Sequence, residues 1–159
     1  MKIILIISAL VYTSLSLAQM AVVDIKLRPA GSFKVTSKEI KGSVVKKGDA
    51  YEAQNILVGL KNVETGISLR DQHTRKHLEV EKYPEAVLVS AKGQGGRGEG
   101  VIKIHGVEKK ISGTYKIEGD KMQASFPIKL SEFGFTGIKY MGVGVDDEAI
   151  INVSLPIKK

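Results

Sequence analysis

Residues 111–130 read Ile111-Ser-Gly-Thr-Tyr-Lys-Ile-Glu-Gly-Asp-Lys-Met-Gln-Ala-Ser-Phe-Pro-Ile-Lys-Leu130. Ile111, Gly113, Tyr115 and Ile117 fall on alternate positions, as do Ala124, Phe126, Ile128 and Leu130, and Glu118-Gly119-Asp120 separates the two runs. Side chains two apart share one face of a strand, so each run has one inward row and one wet row, and the pair is a β-hairpin. The same grammar extends outward. Upstream, Val23, Ile25 and Leu27 alternate with Asp24, Lys26 and Arg28, and Phe33 and Val35 follow a Pro29-Ala30-Gly31 turn. Ile40, Gly42 and Val44 precede a turn at Lys47-Gly48-Asp49. Ile56, Val58 and Leu60 form the next row, then Val87, Val89 and Ala91, and Ile102 and Ile104 lead to a turn near Gly106. Downstream, Ile151, Val153, Leu155 and Ile157 share one face. Eight or nine short strands joined by glycine turns suit an up-and-down barrel or a sandwich. The reading is all-β: one antiparallel eight-stranded barrel, interrupted by a short helix near 70–79 that Asp71 can cap and that Tyr83-Pro84 terminates.

The N-terminus carries a secretory pattern. Lys2 is the charged region, Ile3 to Val11 is apolar apart from Ser8, and Ser16-Leu17-Ala18 places small residues at a cleavage site. The apolar run is too short to span a bilayer. The expectation is a signal peptide over 1–18 and one domain over 19–159, released to the periplasm or secreted. The chain has no cysteine. That removes disulfides, thiol catalysis and cysteine-based metal centres, and it excludes a lipoprotein anchor. The formal net charge is +7, with acidic residues interspersed among the lysines and arginines. Such a surface suits anionic head groups or transient contact with a membrane. No aromatic-basic motif points to nucleic acid.

Three patterns carry no chemistry. Gly93-Gln94-Gly95-Gly96-Arg97-Gly98 has the spacing of a phosphate loop but opens onto a strand rather than a helix, so it reads as a flexible hairpin loop. Asn152-Val153-Ser154 lies within a strand, as outward polar residues. No nucleophile elbow is present, and with three histidines and no cysteine hydrolase chemistry has no evident vehicle. No cofactor is implied, and the chain reads as a non-enzyme.

The charged island 66–84, Gly-Ile-Ser-Leu-Arg-Asp-Gln-His-Thr-Arg-Lys-His-Leu-Glu-Val-Glu-Lys-Tyr-Pro, precedes Ile102-Lys103-Ile104-His105-Gly106-Val107 and Glu132-Phe133-Gly134-Phe135. In this order the motifs resemble the YceI family over about residues 22–157, with Arg70-Asp71-x-His73 to Tyr83-Pro84 as the most specific part. The sequence departs from that pattern at Thr74, where a leucine is usual, and at Glu108-Lys109-Lys110, where a Thr-Lys/Arg-Pro run is common. The resemblance implies a secreted or periplasmic lipocalin-like barrel that holds a long isoprenoid lipid.

Composition by itself favours a filled aliphatic core, because close packing is the default for protein interiors. The resemblance reverses that preference. It makes Val23, Ile25, Phe33, Val35, Ile40, Val58, Leu60, Val89, Ile104, Tyr115, Phe126, Ile128, Ile151 and Val153 candidate lining residues, with Gly42 and Gly113 opening gaps. Arg70, His73, Lys109 and Lys110 are the candidate mouth. The expected partner is a polyisoprenoid, an isoprenoid phosphate or a quinone. A phosphate head would want Arg or Lys, and a quinone one or two neutral donors. A homodimer through the barrel mouth stays open. The alternative is a structural protein with a solid barrel whose charged loop 70–82 docks a partner.

Two residues in the island have competing readings. Arg70 reads either as a rim cation or, more readily, as an architectural group tied to a carboxylate or to carbonyls. His73 and His77 stand one helical turn apart, but with neither a third ligand nor a glutamate they read better as cap or surface residues than as a zinc site. His105 reads as a hydrogen-bonded turn residue.

Overall fold

The computed structural model describes residues 19–140 and 142–158, so the segment read as a signal lies outside the described residues. The strands are β1 (Met20–Arg28), β2 (Ser32–Ser37), β3 (Ile40–Lys41), β4 (Val44–Lys47), β5 (Ala50–Gly59), β6 (Glu85–Gln94), β7 (Arg97–Ile104), β8 (Val107–Glu118), β9 (Lys121–Lys129), β10 (Lys139–Tyr140) and β11 (Val143–Lys158). One α-helix, α1 (Ser68–Leu78), crosses between β5 and β6, and a 3-10 turn covers Leu130–Phe133. The hairpin over 111–130 is β8 and β9, with Tyr115 opposite Ala124 and Glu118 opposite Lys121.

The ring is not the eight-stranded antiparallel one expected from the strand count. Seven strands close it, in the order β11-β4-β5-β6-β7-β8-β9 and back to β11, and β1 and β2 extend along the other edge of β11. The reason is the length of β11. Its 16 residues outrun any single partner. One edge takes β9, with Ile151 opposite Phe126, and the other takes β1, with Ile151 opposite Val23. Beyond Ser154 that second edge is open, and β4 fills it in parallel, pairing Val44 with Ile157.

Two local irregularities decide which side chains face inward. At Val89 the β6–β7 register shifts between the Leu88–Ile102 and Ser90–Val101 pairs. Beside it in β5, Asn55 takes a left-handed backbone at φ 50°. A bulge inserts one residue and so reverses the facing of everything after it. Hence Ala53 and Ile56 are both core residues although three apart, and Leu88 and Ala91 pack inward where strict alternation selects Val89. Gly42 and Gly113 do not open gaps. A Cβ at Gly42 would touch Ile56 at 3.0 Å, and one at Gly113 would meet Phe126 Cβ at 2.7 Å. They are points of close backbone approach. Gly93, Gly98 and Gly100 are likewise rungs of the ladder, so the expected flexible loop reduces to the two-residue turn Gly95-Gly96.

The core has three parts. Ile25, Ile102, Ile128, Phe133, Ala149 and Ile151 belong to one cluster, and Val44, Ala53, Ile56, Met122 and Leu155 form a second towards the β4 end. Leu60, Val63 and Val80 form a third, which Leu78 of α1 joins.

Candidate functional site

Inside the barrel lies a cavity of about 210 Å³. The β1–β2 hairpin supplies Val23, Ile25, Phe33 and Val35, and β5 and the residue after it supply Val58 and Leu60. Ile104 enters from β7, Phe126 and Ile128 from β9, and Ile151 and Val153 from β11. Tyr115 lies deeper, against a smaller separate space. Ile40 and Val89 do not line either space. Ile40 packs on the Val44–Leu155 cluster, and Val89 is the bulge residue. Ile56, Leu88 and Ile102 line the cavity too. Ile56 and Ile102 share their faces with Val58 and Ile104, so alternation carries their signal; Leu88 is hidden by the bulge.

Helix α1 borders one end through Thr74, His77 and Leu78. His77 is exposed and also lines the cavity, so the interior reaches solvent there. Thr74 therefore stands at the entrance, where the resemblance pattern has a leucine. Ser37, Thr74 and His77 are the only polar lining side chains among the described residues; no Lys, Arg, Asp or Glu is among them. The Ser37 hydroxyl is engaged, donating to the Gly59 carbonyl at 2.6 Å.

None of the four residues expected at the mouth is among those lining the cavity. Arg70 donates from Nη2 to the Thr65 carbonyl at 2.7 Å, and its guanidinium carbon lies 4.3 Å from the centre of the Phe33 ring. Arg75 makes the same kind of bond to the Val63 carbonyl at 3.0 Å. The two arginines strap the loop before the helix to the helix itself, and Arg70 does so from above Phe33, a lining residue. His73 is exposed one turn before His77 and lines no part of the cavity. Lys110 faces an outer groove with Glu52, Lys92 and Glu99, and Lys109 stands exposed opposite Ile102. The His105-Gly106 turn has only two residues, so β8 begins at Val107 and its lysines belong to a wall rather than a rim. Among the described residues no group of three or more His, Asp or Glu could hold a metal ion.

Asp71 does not cap its helix, which begins earlier, after Ile67. Its carboxylate instead accepts both the Thr65 hydroxyl and the Thr65 N–H at 2.6 Å. These bonds, the hydroxyl foremost, hold the Asp71 carboxyl below its usual range against the opposing effect of burial, with Arg75 and Arg70 assisting.

The remaining sequence motifs converge on one imidazole. His105 Nδ1 lies 2.9 Å from the Phe133 carbonyl, and Nε2 contacts the Glu79 carboxylate. The Tyr83 and Phe135 rings each stand 4.8 Å from it, centre to centre. Both ring nitrogens therefore face oxygen acceptors. Glu79 is the left-handed C-cap of α1, so this clamp joins the helix end, the β7–β8 turn and the 3-10 turn. Ile104 and Phe135, beside it, line the cavity. The motif ties together the end of the barrel.

A family model for the YceI-like domain matches residues 13–157. The chain belongs to the YceI-like family. Among solved structures, this YceI-like protein is similar to Burkholderia cenocepacia BcnA, with TM-score 0.63, 16% identity, and 85% of this chain and 94% of the other covered. It is also similar to a polyisoprenoid binding domain from Saccharophagus degradans implicated in plant cell wall breakdown, with TM-score 0.58, 12% identity, and coverages of 87% and 92%. At these identities the likeness is one of fold. No curated protein matches the sequence.

Proposed function

We propose that this YceI-like protein is a non-catalytic carrier or sequestering protein for an isoprenoid lipid with an uncharged head, such as a polyprenol, a phenol or a quinone. The observation that carries the reading is the lining: an aliphatic and aromatic tunnel whose polar side chains are a serine, a threonine and a histidine. Each buried CH₂ contributes roughly 0.8 kcal/mol, so a tail binds there without hydrogen bonds. A phosphate head would meet no lysine or arginine of the lining, whereas Thr74 and His77 offer hydrogen-bonding groups for a hydroxyl or quinone oxygen. The polyisoprenoid-binding character of the Saccharophagus degradans domain supports the same ligand class. The N-terminal pattern over 1–18 supports export, placing the carrier in the periplasm or outside the cell, where it would collect its cargo by transient contact with a membrane.

The test is native mass spectrometry after incubation with a polyprenol and, separately, with the phosphate of the same tail. Binding of the alcohol at least tenfold tighter than the phosphate is expected. Equal or tighter binding of the phosphate removes the neutral-head assignment, and binding of neither removes the carrier.

A further inference from the structure

A second internal space of about 80 Å³ lies beyond the main cavity, towards the β4 end. Leu88, Phe126, Val153 and Leu155 touch both spaces and so form the partition between them. Past it the wall carries small residues, Ala53, Ala91, Ala124 and Gly93, with Met122 and Val44, and Glu52, Lys92 and Glu99 also border it. The far side carries Tyr51 and Tyr115, which meet edge to face with ring centres 5.6 Å apart. The Tyr115 ring is seated on Gly93, where a Cβ would lie 2.7 Å from it. A bulky ring resting on a glycine is held by shape, since any larger residue would displace it.

We propose that this space is the terminal subsite of the tail tunnel: Phe126 divides it from the main cavity, and the Tyr51–Tyr115 pair is the floor that sets the longest tail admitted. The inference rests on the isoprenoid reading above and adds to it the residues that measure length. At about 10–15 Å³ per water-sized group, the main cavity of about 210 Å³ accommodates about three to four isoprene units and the far space of about 80 Å³ about one more. Phe126 is only partly buried and borders both spaces, so its ring has room on either side to turn into. A wall of alanines leaves room for a terminal isoprene unit that leucines would fill.

Ala124 pairs across the sheet with both Tyr115 and Val153, so Ala124→Leu places its extra carbons in the far space. The experiment measures the affinity of the full protein for geraniol, farnesol, geranylgeraniol and the next longer linear isoprenoid alcohols by competition with a fluorescent apolar probe. In the unsubstituted protein, affinity rises with each unit until both spaces are full. In Ala124→Leu the rise stops one unit earlier, with a loss on the order of 100-fold for the longest alcohol, given roughly fourfold per buried methylene, and no change for farnesol. Tyr115→Ala, which removes the floor, shifts the limit one unit longer and keeps the test decisive should Ala124→Leu not fold. An unchanged length limit in the folded variants overturns the inference while leaving the carrier intact. If the unsubstituted protein binds none of the alcohols, the isoprenoid reading fails and the inference with it.

Discussion

His105→Ala tests whether the clamp at the end of the barrel is architectural. Four contacts are lost together: the bond to the Phe133 carbonyl, the pair with Glu79, and ring contacts with Tyr83 and Phe135. The His105 side chain is 18% exposed and that of Glu79 is 50% exposed, so the two bonds are unequal. The buried one contributes about 1–2 kcal/mol, while the half-exposed pair, screened by solvent, contributes no more than about 0.5 kcal/mol. The two ring contacts, at about 0.5–1 kcal/mol each, bring the expected loss to roughly 3 kcal/mol. The left-handed backbone at His105, φ 54°, is strained for alanine as well, so it adds little. Urea unfolding should show a lower midpoint with an unchanged slope. Glu79→Gln should cost less than about 1 kcal/mol, and His105→Asn, which tolerates the left-handed backbone and can donate to Phe133, should recover part of the loss. A cost below about 1 kcal/mol for His105→Ala would refute the reasoning and leave the convergence of motifs without energetic content.

Phe133→Ala, at a residue 1% exposed, should destabilise by about 3–5 kcal/mol, read as a large drop in melting temperature. Gly113→Ala should cost about 2–3 kcal/mol, because its Cβ would press on the Ser125 carbonyl and on Phe126; a neutral result in thermal unfolding would show that β8 and β9 separate easily. Asp71 contributes stability above its unfolded pKa near 3.8, and that contribution fades as the pH falls through its lower folded value. Asp71→Asn should therefore flatten the acid limb of a plot of stability against pH below about 4, and an unchanged limb would count against the Thr65 bonds as its cause.

Strand positions were legible because alternation survives wherever a strand is regular, as in β8 and β9. What alternation cannot report is a bulge. Nothing in Ala-Val-Leu-Val-Ser distinguishes Leu88 from Val89 as the inward residue, and Asn55 gives only the faint hint that asparagine tolerates a left-handed backbone. The parallel β4–β11 contact was equally hidden, since it follows from the excess length of β11 over its neighbours rather than from any residue. Glycine misled in one direction: Gly113 looks like missing volume, yet the absent Cβ is what lets the next strand approach. The cavity lining was legible in the rows that stay in phase. Of the helix-borne residues, Leu78 is the apolar one and faces in, but Thr74 and His77 were not legible, because a helix of polar composition gives no sign of which polar face covers a hole. Lys110 shows the complementary difficulty, in which charge near a motif suggests a rim although the side chain faces an outer groove.

The long strand β11 also bears on how the molecule is assembled. Every closure of the ring runs through it, and its partners β1, β4 and β9 all precede it in the sequence. Until Val143–Lys158 is in place, β4 to β9 can form only an open curved sheet with two unsatisfied edges and an uncovered apolar face. Pairings as distant as Met20 with Ser154 make loop closure the slow event, so such a ring should fold slowly for its size. During that interval the same apolar surface that later lines the cavity is open to any other greasy chain nearby, so the last strand also serves to hide it.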